Sequence, residues 1–254
     1  MYANCKIIKE LIKKDKKLSI IENIDGKYLF RKLITNISNI EMLSLTNEIK
    51  CLNILKDTGI VPKLVDYNLS IETPYLITEY INFKRLDQYN FYSLKEKLKC
   101  MINILDAVSV IHQKKIIHCD LKPQQIFVDR DFNVKIIDYG ISCIDGNEVL
   151  INYGSINYCS LEKINKQKIT IYTDIFSLGI IFYKLITGER PFVRNKYNMN
   201  KPIEYFEIKK IKYNELNEIF FKAIDENYNF RYKNVNEFKV DLIKSLNKEE
   251  EENE

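Results

Sequence analysis

The chain changes character once, near residues 81–86, and that change limits the folds open to it. Before it, residues 6–34 alternate apolar and polar side chains in short runs, with a turn at Asn23-Ile24-Asp25-Gly26. That pattern predicts strands joined by a hairpin. Residues 38–58 read as a helix whose apolar stripe is Leu45, Ile49, Leu52 and Leu55, ended by Gly59. Two more strands are expected around 63–69 and 74–80. After the change the periodicity is helical. Residues 94–113 form one strongly apolar helix, and 174–187 are apolar nearly all round, as in a helix at a domain centre, stopped by Gly188 and Pro191. Two further helices are expected at 213–224 and 235–246. Strands first and helices after predict an α+β body of two lobes with a cleft between them. The expected extents are 1–81 for the first lobe, 82–247 for the second, and 248–254 for a charged, disordered tail.

Two aspartates stand out against this background. Asp120 lies in Ile117-His118-Cys119-Asp120-Leu121-Lys122-Pro123-Gln124-Gln125-Ile126-Phe127-Val128, and Asp138 in Lys135-Ile136-Ile137-Asp138-Tyr139-Gly140. Each sits in an otherwise apolar or turn-forming run, and one short hairpin separates them. A buried carboxylate is costly unless a cation or a hydrogen-bond donor meets it. Two that converge on one place point to a base and a metal ligand rather than to packing. Glu48 poses a similar question, because it lies on the predicted helix beside the apolar stripe and needs a cation from a neighbouring element.

These segments resemble the protein kinase superfamily. His118-Cys119-Asp120 stands where those enzymes carry the HRD of the catalytic loop, and Asp138-Tyr139-Gly140 where they carry DFG. The resemblance continues through Gly154-Ser155-Ile156-Asn157-Tyr158-Cys159-Ser160-Leu161-Glu162, Thr173-Asp174-Ile175-Phe176-Ser177-Leu178-Gly179 and Asn229-Phe230-Arg231-Tyr232. It implies a bilobal kinase-like fold, with a small antiparallel sheet and one helix in the N-lobe and a larger, mainly helical C-lobe. It implies ATP with Mg²⁺ (or Mn²⁺) as cofactors and a protein serine or threonine hydroxyl as acceptor. Asp120 would orient the acceptor hydroxyl, Lys122 would steady the transferring phosphoryl charge, and Ser155 would hydrogen-bond both. Asp138 and Gln125 would hold the metal. Thr78 would be the gatekeeper, with the backbones of Glu79 and Ile81 facing the adenine edge. Glu48 would pair with a β3 cation, Asp174 would anchor the catalytic-loop backbone, and Glu162 would pair with Arg231. His118 and Tyr139 would pack with Leu52 in a column joining the lobes.

The chain departs from the family pattern in four places. The β3 cation is either Arg31 or Lys32: hydrophobic register, with Leu29 at the usual alanine, favours Arg31, and lysine identity favours Lys32. A one-residue shift turns every strand side chain to the other face, so only one can serve. No glycine-rich loop exists, since Ile12-Lys13-Lys14-Asp15-Lys16-Lys17-Leu18-Ser19 occupies its place. Either one of Lys13, Lys14, Lys16 and Lys17 supplies charge to the phosphates, or the segment is a solvated basic turn. Gln125 replaces an asparagine and is longer by about 1.5 Å. Cys119 replaces an arginine that pairs with activation-loop phosphate in many kinases, so control without such phosphorylation is expected.

Composition narrows the partners. Lys+Arg 39 against Asp+Glu 35 leaves a formal charge of only +4, too balanced to argue for nucleic acid. No apolar run is long enough to cross a bilayer, the N-terminus has no signal-peptide core, and six cysteines show neither CxxC nor metal-ligand spacing. A cytoplasmic protein with free thiols is expected, and no oligomeric state is implied. Two rivals share the fold: a pseudokinase acting as a nucleotide-binding or scaffold module, and an enzyme transferring AMP.

Overall fold

The computed structural model describes residues 5–13, 15–144, 155–192 and 208–252, with side chains up to 248; Lys14 and Gly154 of the motifs above lie outside them. Strands β1 (Lys6–Ile12), β2 (Lys16–Glu22), β3 (Tyr28–Ile34), β4 (Leu64–Asn68) and β5 (Tyr75–Glu79) form an antiparallel sheet in the order β1-β2-β3-β5-β4. The expected β2–β3 turn closes because the Asn23 side-chain oxygen accepts from the Asp25 and Lys27 amides at 3.1 and 2.8 Å. Helix α1 (Asn39–Leu55) begins where the Ser38 hydroxyl accepts the Glu41 amide at 3.2 Å, an N-cap that satisfies one orphan donor. It buries the predicted stripe together with Glu48 and Cys51.

The sheet has two unlike faces. Ile34 and Leu76 join the main core, which runs continuously into the C-lobe, whereas Leu29, Ile21 and Ile77 make a small separate cluster on the opposite face. Because side chains alternate along β3, Phe30, Lys32 and Ile34 share the core-facing side, and Leu29, Arg31 and Leu33 share the other.

Short strands frame the C-lobe side of the cleft: β6 (Lys84–Arg85), β7 (Ile116–Ile117), β8 (Ile126–Val128), β9 (Val134–Ile136) and β10 (Cys143–Ile144). Helix α2 (Leu94–Gln113) has the limits expected from its periodicity. An N-cap fixes its start, the Ser93 hydroxyl accepting the Glu96 amide at 3.1 Å, while the Glu96 carboxylate accepts the Tyr92 amide just before it at 2.7 Å. Helix α3 (Leu161–Ile164) is one turn. Helix α4 (Ile171–Thr187) is buried from Thr173 to Tyr183 on every side. It ends at Gly188, whose φ of 82° is the left-handed conformation that glycine tolerates and whose amide donates to the Lys184 carbonyl at 2.8 Å.

Helices α5 (Asn214–Ala223) and α6 (Val235–Glu252) complete the lobe. Helix α6 continues past 246, where its end was expected, and takes in most of the segment expected to be disordered. Lysine and glutamate favour helix and nothing between 247 and 252 stops it. Lys248 reaches Glu215 of α5. The result is the expected α+β bilobal architecture, and among the described residues no helix is long and apolar enough to cross a membrane.

Candidate active site

The sharp bend before Asp120 is built around one buried carboxylate. Cys119 has φ 68°, a strained value for a residue with a Cβ. Asp174, fully buried on α4, accepts the His118 and Cys119 amides at 2.8 and 2.9 Å and His112 Nε2 at 2.9 Å. Burial alone would raise the Asp174 pKa, but the bond to His112 and the nearby imidazoles outweigh it and hold the carboxyl below its usual range. Lys163 of α3 donates to the Cys119 carbonyl, so the bend is pinned on its carbonyl side as well. Burial lowers the His118 pKa; its Nδ1 accepts the Asp120 amide at 3.3 Å and its Nε2 lies 3.1 Å from the Ile137 carbonyl. Its ring packs on Tyr139 with centroids 4.8 Å apart, in the same core as Leu52. Burial also pushes the Cys119 thiol well above its ordinary value, which leaves it unreactive.

The bend aims Asp120 into a dense hydrogen-bond set. Asp120 Oδ1 accepts the Ser155 amide at 2.7 Å, and Oδ2 accepts Lys122 Nζ at 2.8 Å and Gln125 Nε2 at 3.0 Å. Lys122 Nζ also donates to Ser155 Oγ at 2.6 Å. Gln125 is tied to the next strand, its carbonyl accepting the Ile137 amide at 3.0 Å. That brings its Nε2 to Asp138 Oδ2 as well, also at 3.0 Å. One amide group thus bridges both aspartates, and Gln125 Oε1 is left buried with no partner.

Asp138, at φ 71°, keeps 42% of its side chain exposed, so its carboxylate opens onto the cleft. Its Oδ1 lies 3.3 Å from Lys32 Nζ, which is 2.5 Å from Glu48 on α1. Burial opposes the Lys32 charge, but Glu48 and Asp138 outweigh it and raise the ammonium pKa above that of an ordinary lysine. The attraction of Lys32 in turn holds the Asp138 carboxyl far below the usual carboxylate range, against burial. Lys32, not Arg31, therefore fills the β3 position, and the register favouring Arg31 is corrected. The apolar signal of Leu29 belongs to the outer cluster with Ile21 and Ile77, and Arg31 shares that outer face. Phe30, not Leu29, precedes the lysine on the cleft side.

At the interlobe strand Thr78 is buried and donates to the Glu79 carbonyl at 3.2 Å. The Glu79 amide is spent on the Lys63 carbonyl, and its carboxylate pairs with Lys135 at 2.5 Å. Ile81 is half-buried, just beyond β5. Lower in the C-lobe, Arg231 meets Glu162 in a two-pronged bond at 2.8 and 3.0 Å, both side chains inaccessible.

Sequence reasoning passed over the link between α1 and the Asp138 turn. Asn47, just before Glu48, donates from Nδ2 to the carbonyls of Tyr139, Gly140 and Ser142 at 3.0, 3.3 and 2.9 Å. Its only signal was a polar residue inside a helix with no cap to make. One turn earlier, Ser44 packs so close that a Cβ on Gly140 would stand 2.2 Å from its Oγ but 3.4 Å from its Cβ. Gly140→Ala is therefore expected to destabilise the protein by about 1–3 kcal/mol, the usual cost of overpacking. Adding Ser44→Ala removes the offending oxygen and should restore most of the loss in urea denaturation. A double variant as unstable as the single one would show that the clash is not the cause.

Among known families, the one described as "Protein kinase domain" matches residues 17–253. The chain is similar to "CBL-interacting protein kinase 21" of Oryza sativa, 34% identical over 155 residues, which cover 57% of this chain and 29% of that protein. "Serine/threonine-protein kinase PrkC" of Bacillus subtilis is 32% identical over 126 residues, 46% of this chain and 19% of that one. A "Probable serine/threonine-protein kinase" of Clostridium perfringens is 30% identical over 203 residues, 72% of this chain and 29% of its own length. These matches thus take in less than a third of each relative. A family match over nearly the whole chain, joined to two aspartates, a buried lysine–glutamate pair and an anchored bend in one cleft, makes this chain a member of the protein kinase family.

Proposed function

We propose that the protein transfers the γ-phosphoryl group of ATP, with a divalent cation, to a serine or threonine hydroxyl of another protein. The observation that carries this reading is the continuous hydrogen-bonded set Glu48–Lys32–Asp138–Gln125–Asp120–Lys122–Ser155, which opens on the cleft. Asp120 would receive or orient the acceptor proton, and Lys122 would meet the developing phosphoryl charge. Lys32, held by Glu48, would bind the phosphates nearest the base. Thr78 would set the depth of the base site, and the backbones of Glu79 and Ile81 would meet the base edge.

The donors suit Mg²⁺ or Mn²⁺. Among the described residues there is no cluster of three or more His, Cys, Asp or Glu that would form a protein cage. A hard cation held by one or two carboxylates and by phosphates needs no such cage. The Asp138 carboxylate is open, and the unpartnered Gln125 Oε1 belongs to the amide whose Nε2 meets Asp138, so turning that amide over would offer the oxygen instead. A cation held there would supply positive charge to neutralise the phosphates.

The names of the relatives support serine/threonine specificity, as does Lys122 two residues after Asp120. A protein acceptor is favoured over a small molecule because Ser155 and Glu162 lie in a segment that resembles a substrate-docking loop, with Glu162 held by Arg231 from farther along the chain. The near-neutral net charge argues against nucleic acid, and a cytoplasmic location fits ATP use and cysteines that form no disulfide among the described residues.

A pseudokinase is the second reading, favoured by one observation: Gln125 Nε2 now occupies the space between the aspartates. Incubation with γ-labelled ATP, Mg²⁺ or Mn²⁺ and a generic protein substrate should label the substrate. Label arriving only from the α position would indicate AMP transfer. No label, with nucleotide still raising thermal stability, would indicate the pseudokinase.

A further inference from the structure

We propose that Lys16 is a phosphate-binding residue, a fixed ammonium that replaces the backbone cradle of the missing glycine-rich loop. The proposal rests on the nucleotide reading above and adds to it the group that holds the terminal phosphates.

Among the described residues of the basic run, Lys13, Lys16 and Lys17, the sheet register selects Lys16. Leu18 pairs with Lys32 and Lys16 with Ile34, so Lys16 and Lys32 lie on the same, core- and cleft-facing side of the sheet. They are diagonal neighbours across β2 and β3, a relation that spans about 7–8 Å, within reach of two lysine side chains converging on one group. Lys17 pairs with Leu33 and shares the outer face with Ser19 and Arg31, and Lys13 is exposed at the end of β1.

The turn that carries Lys16 is pinned. Lys13 and Lys16 close the hairpin through a 2.9 Å main-chain bond, and the Asp15 carbonyl accepts the Thr35 and Asn36 amides at 2.9 and 3.3 Å. A side-chain bond of 3.2 Å from Asn36 to Asp15 adds a further tie to the β3–α1 junction. The arm is thus built into the roof of the cleft, where a glycine loop would instead rely on close backbone approach.

Lys16 is half-buried, and among the described residues its ammonium makes no ion pair. Its charge nevertheless reaches the site, favouring the ionised form of Asp138 and opposing the rise that burial gives the Glu48 pKa. With Lys32 and Lys122 it makes a third cation beside three carboxylates: Glu48, Asp120 and Asp138. An ammonium that faces a cleft and has no carboxylate of its own is suited to an anion brought by the ligand.

The test compares affinities for AMP, ADP and ATP, each with Mg²⁺, measured calorimetrically on the full chain. Lys16→Ala should weaken ATP by roughly 10- to 100-fold, the scale of a hydrogen bond to a charged group, weaken ADP less and leave AMP unchanged. Lys16→Arg should recover most of the ATP affinity, and Lys17→Ala should match the wild type. Thermal denaturation of each variant separates a folding defect from a binding one. Wild-type ATP affinity in Lys16→Ala, or equal losses for AMP and ATP, would overturn the assignment while leaving the nucleotide reading intact. A wild-type chain that binds none of the three nucleotides would overturn both.

Discussion

Asp138→Asn should fold as the wild type does, yet lose phosphoryl transfer by a factor on the order of 10²–10³, the scale found when one preorganised electrostatic group is removed. The side chain keeps its shape and its bond from Gln125, and Lys32 remains paired with Glu48 at 2.5 Å. What disappears is the negative charge at the open side of the cleft. Asp120→Asn makes the contrast sharp. It should cost about 10²–10⁴ in transfer, the range for a general base, while metal-dependent nucleotide affinity survives. Titration of each variant with ATP, in the presence and absence of Mg²⁺, separates the two roles. If Asp138→Asn bound Mg²⁺-ATP as tightly as the wild type, Asp138 would not be the metal ligand. The strongly depressed pKa of Asp138, caused first by Lys32, keeps it ionised far below neutrality. Nucleotide affinity should accordingly show no step from this group between pH 5 and pH 8.

The largest stability effect is expected at Arg231, far from the chemistry. Arg231→Ala leaves Glu162 buried and uncompensated, which costs about 3–5 kcal/mol. At roughly 2–4 °C per kcal/mol for a chain of this size, the thermal midpoint should fall by about 6–20 °C. Arg231→Lys should recover little, since a single ammonium cannot reproduce the two-pronged bond. Arg231→Met combined with Glu162→Gln should be more stable than Arg231→Ala, because no charge is then stranded. A double variant less stable than the single one would mean that the pair matters for something other than charge compensation. Acid should act in the same direction. Burial raises the Glu162 pKa, but the Arg231 bond and charge outweigh it and hold the folded value below the unfolded one. The stabilisation is then present above the unfolded pKa, about 4.3, and is lost as the pH falls through the folded value.

Much of the architecture was legible because its signals are local. The limits of α2 follow from periodicity, and the end of α4 follows from Gly188. The end of α6 was misjudged because charge alone was read as disorder, although lysine and glutamate are good helix formers. In the site, the groupings Asp120–Lys122–Ser155 and Glu162–Arg231 and the anchoring of the bend by Asp174 were implied by the family resemblance. The contacts of Asn47, Ser44 and Lys163 were not, because each joins segments distant in sequence through a carbonyl or a close approach that no residue pattern announces.

The amino-acid sequence by itself determined which chemical groups exist, their order and the division into a sheet-rich and a helical half. Only the tertiary structure decided which face of β3 looks into the cleft, and hence that Lys32 rather than Arg31 meets Glu48 and Asp138. The reason is that both faces of this strand carry buried apolar residues, Leu29 on one and Ile34 on the other. Period-two alternation then identifies two faces without saying which is inner, and only the packing of α1 against one of them breaks the tie.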